Sequence, residues 1–183
     1  MTDNNLTEKD ITKKSKITTK DIALIGVMIA VLEVTKQALA FLPNVEITTL
    51  LIILFSIYFE KRIFYVIPAF ILLEGCIYGF GNWWAMYAYI WPLVAIFAMF
   101  FRKNTSVWFW CIYSAVIGLF FGALCSLTYL VIGGPKAAFT WWVAGIPYDI
   151  LHCISNFVIC LVLYTPLTKI LKKLRYHIFM DSL

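Results

Sequence analysis

ITTLLIILFSIYFEKRIFYVIPAFILLEGCIY, residues 47–78, holds two apolar runs joined by Glu60-Lys61-Arg62. Read as two membrane helices, the runs leave the basic pair in a short loop, and short loops rich in Lys and Arg are retained in the cytoplasm. The first run, Ile47 to Phe59, is short for a full crossing of a bilayer core about 30 Å thick. It reads as a helix that is tilted, extended through Asn44-Val45-Glu46, or shielded by its neighbours. Deleting it would place Lys61 and Arg62 outside and invert every later loop, so the charge pattern keeps it as a span.

Outward from this stretch the same rule holds. Further apolar runs cover Ile22 to Leu42, Trp84 to Phe101, Val107 to Ile132 and Trp141 to Leu167, which with Ile47 to Phe59 and Ile63 to Tyr78 make six spans. Lys9, Lys13, Lys14, Lys16 and Lys20 precede the first, Arg102 and Lys103 join the fourth and fifth, and Lys169, Lys172, Lys173 and Arg175 follow the sixth. Of fifteen basic residues, Lys36 and Lys136 alone fall outside this cytoplasmic set. The expected fold is an all-α integral membrane protein of six transmembrane helices, with both termini inside. Residues 1–20 read as a basic cytoplasmic tail rather than a cleaved signal, 21–168 as the membrane domain and 169–183 as a second basic tail.

Composition supports a lipid environment, since 62% hydrophobic residues exceed what a soluble chain of 183 residues hides in its core. The net charge of +5 flanks the apolar spans, where it meets lipid headgroups or a cytoplasmic partner, so nucleic acid is not an expected partner. Cys76, Cys111, Cys125, Cys153 and Cys160 all lie in apolar runs without CxxC or His-rich spacing. They read as buried small hydrophobes, with neither a disulfide nor a metal centre expected. The chain has no GxSxG elbow, HExxH helix, P-loop or pair of adjacent glutamates. No catalytic residue and no cofactor is therefore assigned.

Polar residues within apolar spans cost several kcal/mol unless paired or hydrated, so function is sought there. Glu33 and Lys36 stand at i, i+3 near the outer end of the first span, a spacing that suits a neutralising pair as well as a ligand role. Asn44 and Glu46 follow Pro43, where Asn44 suits a cap for the second helix and Glu46 its first turn. Glu74 opens the segment Glu74 to Trp84, in which three glycines allow sharp turns and Trp83 and Trp84 offer flat faces. Asp149, His152 and Asn156 stand at i, i+3 and i+7 on one face of the sixth span, after Trp141 and Trp142. The topology gathers these groups in the outer half of the bundle, around a pocket suited to a small, flat, polar molecule.

On the first span Gly26-Val27-Met28-Ile29-Ala30, with Ala23 near the same face, forms a GxxxA pattern of the kind that lets helices approach closely in lipid. With six spans, the chain length, the basic tail, the Pro-Asn turn before span two and the polar, aromatic outer ends of spans three, four and six, residues 21–168 resemble a substrate-binding S component of the energy-coupling factor (ECF) vitamin transporters. That resemblance implies a subunit of a bacterial plasma membrane. It would bind a water-soluble vitamin or precursor outside and pass it inward with a transmembrane coupling subunit and two cytoplasmic ATPases. By position it nominates Glu74, Asn82, Trp83, Trp84, Trp141, Asp149, His152 and Asn156 for substrate, Asn44 and Glu46 for a lid, and Ala23, Gly26 and Ala30 for docking. Excess acidity favours a pyridoxine-, pyrimidine- or thiamine-like ligand, although Lys36 and Lys136 also suit an anion. A membrane enzyme using Asp149 and His152 as acid and base, and an assembly protein whose polar stripe only packs helices, are the readings from other classes.

Overall fold

The computed structural model describes residues 17–179, so Lys9, Lys13, Lys14 and Lys16 of the expected N-terminal tail, and the last four residues, lie outside the described residues. All the described secondary structure is helical: α1 Thr19–Leu39, α2 Thr48–Phe59, a 3-10 turn Glu60–Arg62, α3 Ile63–Tyr78, α4 Asn82–Phe100, α5 Val107–Leu119 and α6 Phe121–Phe179. Among the described residues, three helical stretches are long and apolar enough to cross a membrane: Thr19–Leu39, Asn82–Phe100 and the nearly continuous Val107–Ile178.

Local chemistry sets the helix ends. Thr18 caps α1 reciprocally: its hydroxyl accepts from the Asp21 N–H at 3.2 Å and its own N–H donates to Asp21 Oδ2 at 2.9 Å. The cap starts the helix three residues before the apolar run. The stretch α6 is two helices, 121–133 and 135–179, broken at Gly134. Gly134 has φ 75°, a left-handed value that favours a residue without Cβ, and Pro135 behind it suits the first turn of the next helix. The two arms fold back on each other, and Tyr129 stacks on Trp141 at 4.1 Å between ring centroids. The long arm runs on through residues 169–179, so most of the expected C-terminal tail is helix.

The short second helix is the centre of the molecule. Every residue of α2 from Thr48 to Phe59 is buried, and all five other helices pack around it. Of the sequence expectations for this segment, shielding by neighbours holds, whereas extension through Asn44-Val45-Glu46 does not, since the helix begins at Thr48. Around it α1 lies against α3, α3 against α4, α4 against α6, and α5 and α6 form the most extensive seam. The outward surfaces are apolar, with Val27, Leu72, Ile96, Phe97, Val116, Val131 and Val162 exposed, a pattern compatible with a membrane and unsuited to water.

Charges gather at one end of the bundle. Asp21 pairs with Arg62, and Glu60 bridges Arg102 at 3.4 Å and Arg175 at 3.3 Å. These contacts tie the start of α1, the α2–α3 turn, the end of α4 and the end of α6 together. Cys111, Cys125 and Cys160 are buried and Cys153 is half-buried, as small hydrophobes would be, whereas Cys76 faces outward and departs from that expectation.

Because Leu54 in the middle of α2 is fully buried, Leu54→Ala should cost about 2–5 kcal/mol. Val131→Ala, at a position 88% exposed, should cost close to nothing. Denaturation of the two variants in detergent tests this, and equal effects would remove α2 from the core.

Candidate functional site

At the end opposite the Glu60 cluster, the bundle holds an open cavity of about 420 Å³. Its walls come from the last turn of α1, the connection into α2, the end of α3, the start of α4, and Phe121 and His152 of α6. A second cleft, of about 380 Å³ at the charged end, is lined by Arg102, Lys103, Lys172 and Arg175 around Glu60 and holds none of the nominated residues.

One wall is an aromatic box. Lys36 pairs with Glu74, which is fully buried on α3, and its ammonium lies 5.1, 5.8 and 5.2 Å from the ring centroids of Tyr78, Trp83 and Tyr87. Ammonium groups at such distances are attracted by the negative faces of the rings. Of the neutralising pair and the ligand role that the Glu33–Lys36 spacing left open, the direct salt bridge of Lys36 goes across helices to Glu74 rather than to Glu33. Glu33 accepts from Gln37 Nε2 at 3.2 Å, and Gln37 also bonds the Tyr78 hydroxyl. Edge-to-face contacts run on from the box through Trp83, Tyr87 and Trp91 at 5.4 and 5.3 Å. Phe121 then joins Trp91 to the His152 ring, at 5.7 and 5.0 Å. Such pairs fix ring orientation and rigidify the wall.

The roof is the connection 40–47. His152 Nε2 lies 3.2 Å from Glu46 Oε1, the Thr49 hydroxyl donates to the same oxygen at 3.1 Å, and the Ser155 hydroxyl donates to the Asn44 carbonyl at 2.6 Å. Burial opposes a charge on Glu46, but the hydrogen bonds from His152 and Thr49 outweigh it and hold the carboxyl below the usual carboxylate range. Asn44 does not cap α2 as expected. It has φ 56°, and Ile47 occupies the cap position without a side-chain bond. Asn44 and Glu46 thus cover the cavity because the α6 arm grips the connection at both residues.

The nominated residues separate into two groups. Glu74, Trp83, His152, Asn44 and Glu46 line the cavity. The other five nominated for substrate do not. Trp84 donates its ring N–H to the Ile71 carbonyl at 2.8 Å, fastening α4 to α3, and Asn82 is exposed at the start of α4. Trp141 is stacked on Tyr129 at the Gly134 bend. Asp149 accepts from the Gly122 N–H at 2.8 Å, in a contact so close that a Cβ on Gly122 would meet the carboxylate at 2.5 Å. Asn156 donates to the Ser114 carbonyl at 3.2 Å. The stripe of Asp149, His152 and Asn156 faces the seam with α5 and the 121–133 arm, and its middle member alone reaches past that seam into the cavity.

Lys36, Tyr78, Tyr87 and Phe121 line the cavity without having been nominated. A lysine in an apolar span was the available signal for the first, and Tyr87, one helical turn after Trp83, for the third. Phe121 had none, since its place depends on the course of α6. Among the described residues no group of three or more His, Cys, Asp or Glu side chains is arranged to hold a metal ion.

Ala23, Gly26 and Ala30 are all exposed on α1, and a Cβ added to Gly26 meets no atom within 4 Å. Protein-family models, curated proteins and solved structures return no match to the chain.

The Glu46–His152 contact joins the roof to α6 over a long sequence separation, so removing it should loosen the roof. A double-mutant cycle of Glu46→Gln and His152→Ala, read by denaturation in detergent, should give a coupling of about 1–3 kcal/mol. Additive effects would mean that the two side chains act independently.

Proposed function

We propose that the chain is the substrate-binding subunit of an importer of the ECF type. In this reading it is a plasma-membrane protein of six spans with both ends in the cytoplasm, and it captures a small water-soluble vitamin or vitamin precursor from outside. The observation that carries the proposal is the roofed cavity of about 420 Å³, placed at the end of the bundle away from the Glu60–Arg102–Arg175 cluster. If Lys and Arg mark the cytoplasmic face, the cavity lies on the external side. Its volume falls within the usual range for small-molecule sites, and its chemistry combines stacking faces with a few converging polar groups.

The resemblance noted in the sequence supplies the rest of the reading. A coupling membrane subunit and two cytoplasmic ATPases would supply the energy. The Ala23, Gly26 and Ala30 face of α1 would dock against the coupling subunit, and its exposure leaves it open to such a neighbour. A pyridoxine-, pyrimidine- or thiamine-like heterocycle suits the aromatic wall and the carboxylates. Asp149 faces Gly122 while His152 faces Glu46, so the two do not present an acid and a base to one ligand. This favours binding over catalysis.

Small molecules released from purified, detergent-solubilised protein and identified by mass spectrometry test the reading. A stoichiometric vitamin-like compound that also quenches Trp fluorescence on titration is the expected result. An empty protein that ignores a broad vitamin panel overturns it. With the coupling subunit and ATPases present, Gly26→Leu should abolish uptake and leave binding intact, because the added side chain enters open space rather than the core. Normal uptake by a Gly26→Leu/Ala30→Leu variant would remove the docking assignment.

A further inference from the structure

The acidic groups at the aromatic box outnumber the basic ones. The Glu33 carboxyl faces that of Glu74. One oxygen of each is buried without a hydrogen-bond donor, and Lys36 is the cation that serves the pair. A pair of facing carboxyl groups that can share one proton, one ammonium and three rings around that ammonium make a site built to hold a single positive charge. Lysine is an unusual permanent occupant for such a box. It is a strongly hydrated point charge on a flexible stem, and here its side chain keeps 24% exposure from the last turn of α1, near the half-buried Leu39 and the exposed Ala40. A short swing of the stem returns the ammonium to solvent.

Resting on the reading of this cavity as a substrate site, we propose that Lys36 is a tethered stand-in for the ligand. The substrate is a small aromatic cation whose charged ring displaces the Lys36 ammonium from Glu74 and from the faces of Tyr78, Trp83 and Tyr87. A flat cation fills the box better than an ammonium because it stacks over ring area as well as supplying charge. Exchange of one cation for another leaves the Glu74 carboxylate paired in both states, so displacement of Lys36 does not strand its buried charge. A neutral heterocycle of the same shape cannot replace the ammonium, and an anion that paired with Lys36 would face Glu74, Glu33 and Glu46. Discrimination against both follows from what each leaves uncompensated.

The test uses the full-length protein in detergent and three rings of matched size, N-methylnicotinamide (cationic), nicotinamide (neutral) and nicotinate (anionic), titrated by Trp fluorescence. The cation should bind tightest. Lys36→Met should tighten its binding about tenfold, the gain expected if the stem closes the box nine-tenths of the time, while Glu74→Gln should erase the preference for the cation. A measurement on the wild-type chain guards against misfolded variants: acylation of the Lys36 amine by an N-hydroxysuccinimide ester, followed by peptide mass spectrometry, should accelerate when the cation is added. Strongest binding of nicotinate, weaker cation binding by Lys36→Met, slower acylation with ligand, or a co-purified compound that is neutral or anionic at neutral pH each overturn the proposal. All four leave the substrate-binding reading standing. Failure of the three probes and of every vitamin to bind overturns both.

Discussion

The burial of a helix too short for the bundle around it governs this structure. α2 has 12 residues and rises about 18 Å, whereas α1 with 21 and α4 with 19 rise about 30 Å. Its side chains are mostly apolar and all buried, so the longer helices must ring it to satisfy that surface. The difference in length leaves a hollow above its first turn. The connection that leads into α2 lies over part of the hollow, which is why Asn44 and Glu46 line the cavity at this end.

Charge placement follows from the same geometry. An ionised group inside an apolar bundle is tolerated when a partner neutralises it. Asp21 with Arg62, and Glu60 with Arg102 and Arg175, meet this condition at one end, and Glu74 with Lys36 at the other. The surroundings of the two clusters differ. Glu60 and its arginines are partly exposed and act as a clasp across three segments. Glu74 is fully buried beneath aromatic faces, where displacement of its partner exposes a strong, specific attraction for a cation.

The long α6 joins the cavity to the rest of the bundle. Its two arms diverge from the Gly134 break, and Asp149 closes the base of the resulting hairpin on the Gly122 N–H. His152 and Ser155, on the next turn, reach the roof. The residue that shapes the cavity floor, Phe121, is therefore set by the same seam that fixes His152, and a shift of the long arm would move wall and roof together.

By itself the sequence determined the helical class, helix boundaries to within a few residues at most ends, and the segregation of basic residues, because apolar run length and charge placement are local properties. It also singled out Glu74, Trp83, His152, Asn44 and Glu46, since polar and aromatic groups stand out within apolar runs. The tertiary structure decided which of the candidates meet. Periodicity placed Asp149, His152 and Asn156 on one face, but the width of the α5–α6 seam decided that His152 alone faces the cavity. Spacing offered Glu33 to Lys36 as a same-helix neighbour, but the packing of α3 and α4 beside α1 brought Glu74 and Tyr78 from the one and Trp83 and Tyr87 from the other around the ammonium. Neighbours along a helix follow from a repeat of 3.6 residues, whereas neighbours across helices depend on how surfaces pack and at what depth, which no single segment encodes.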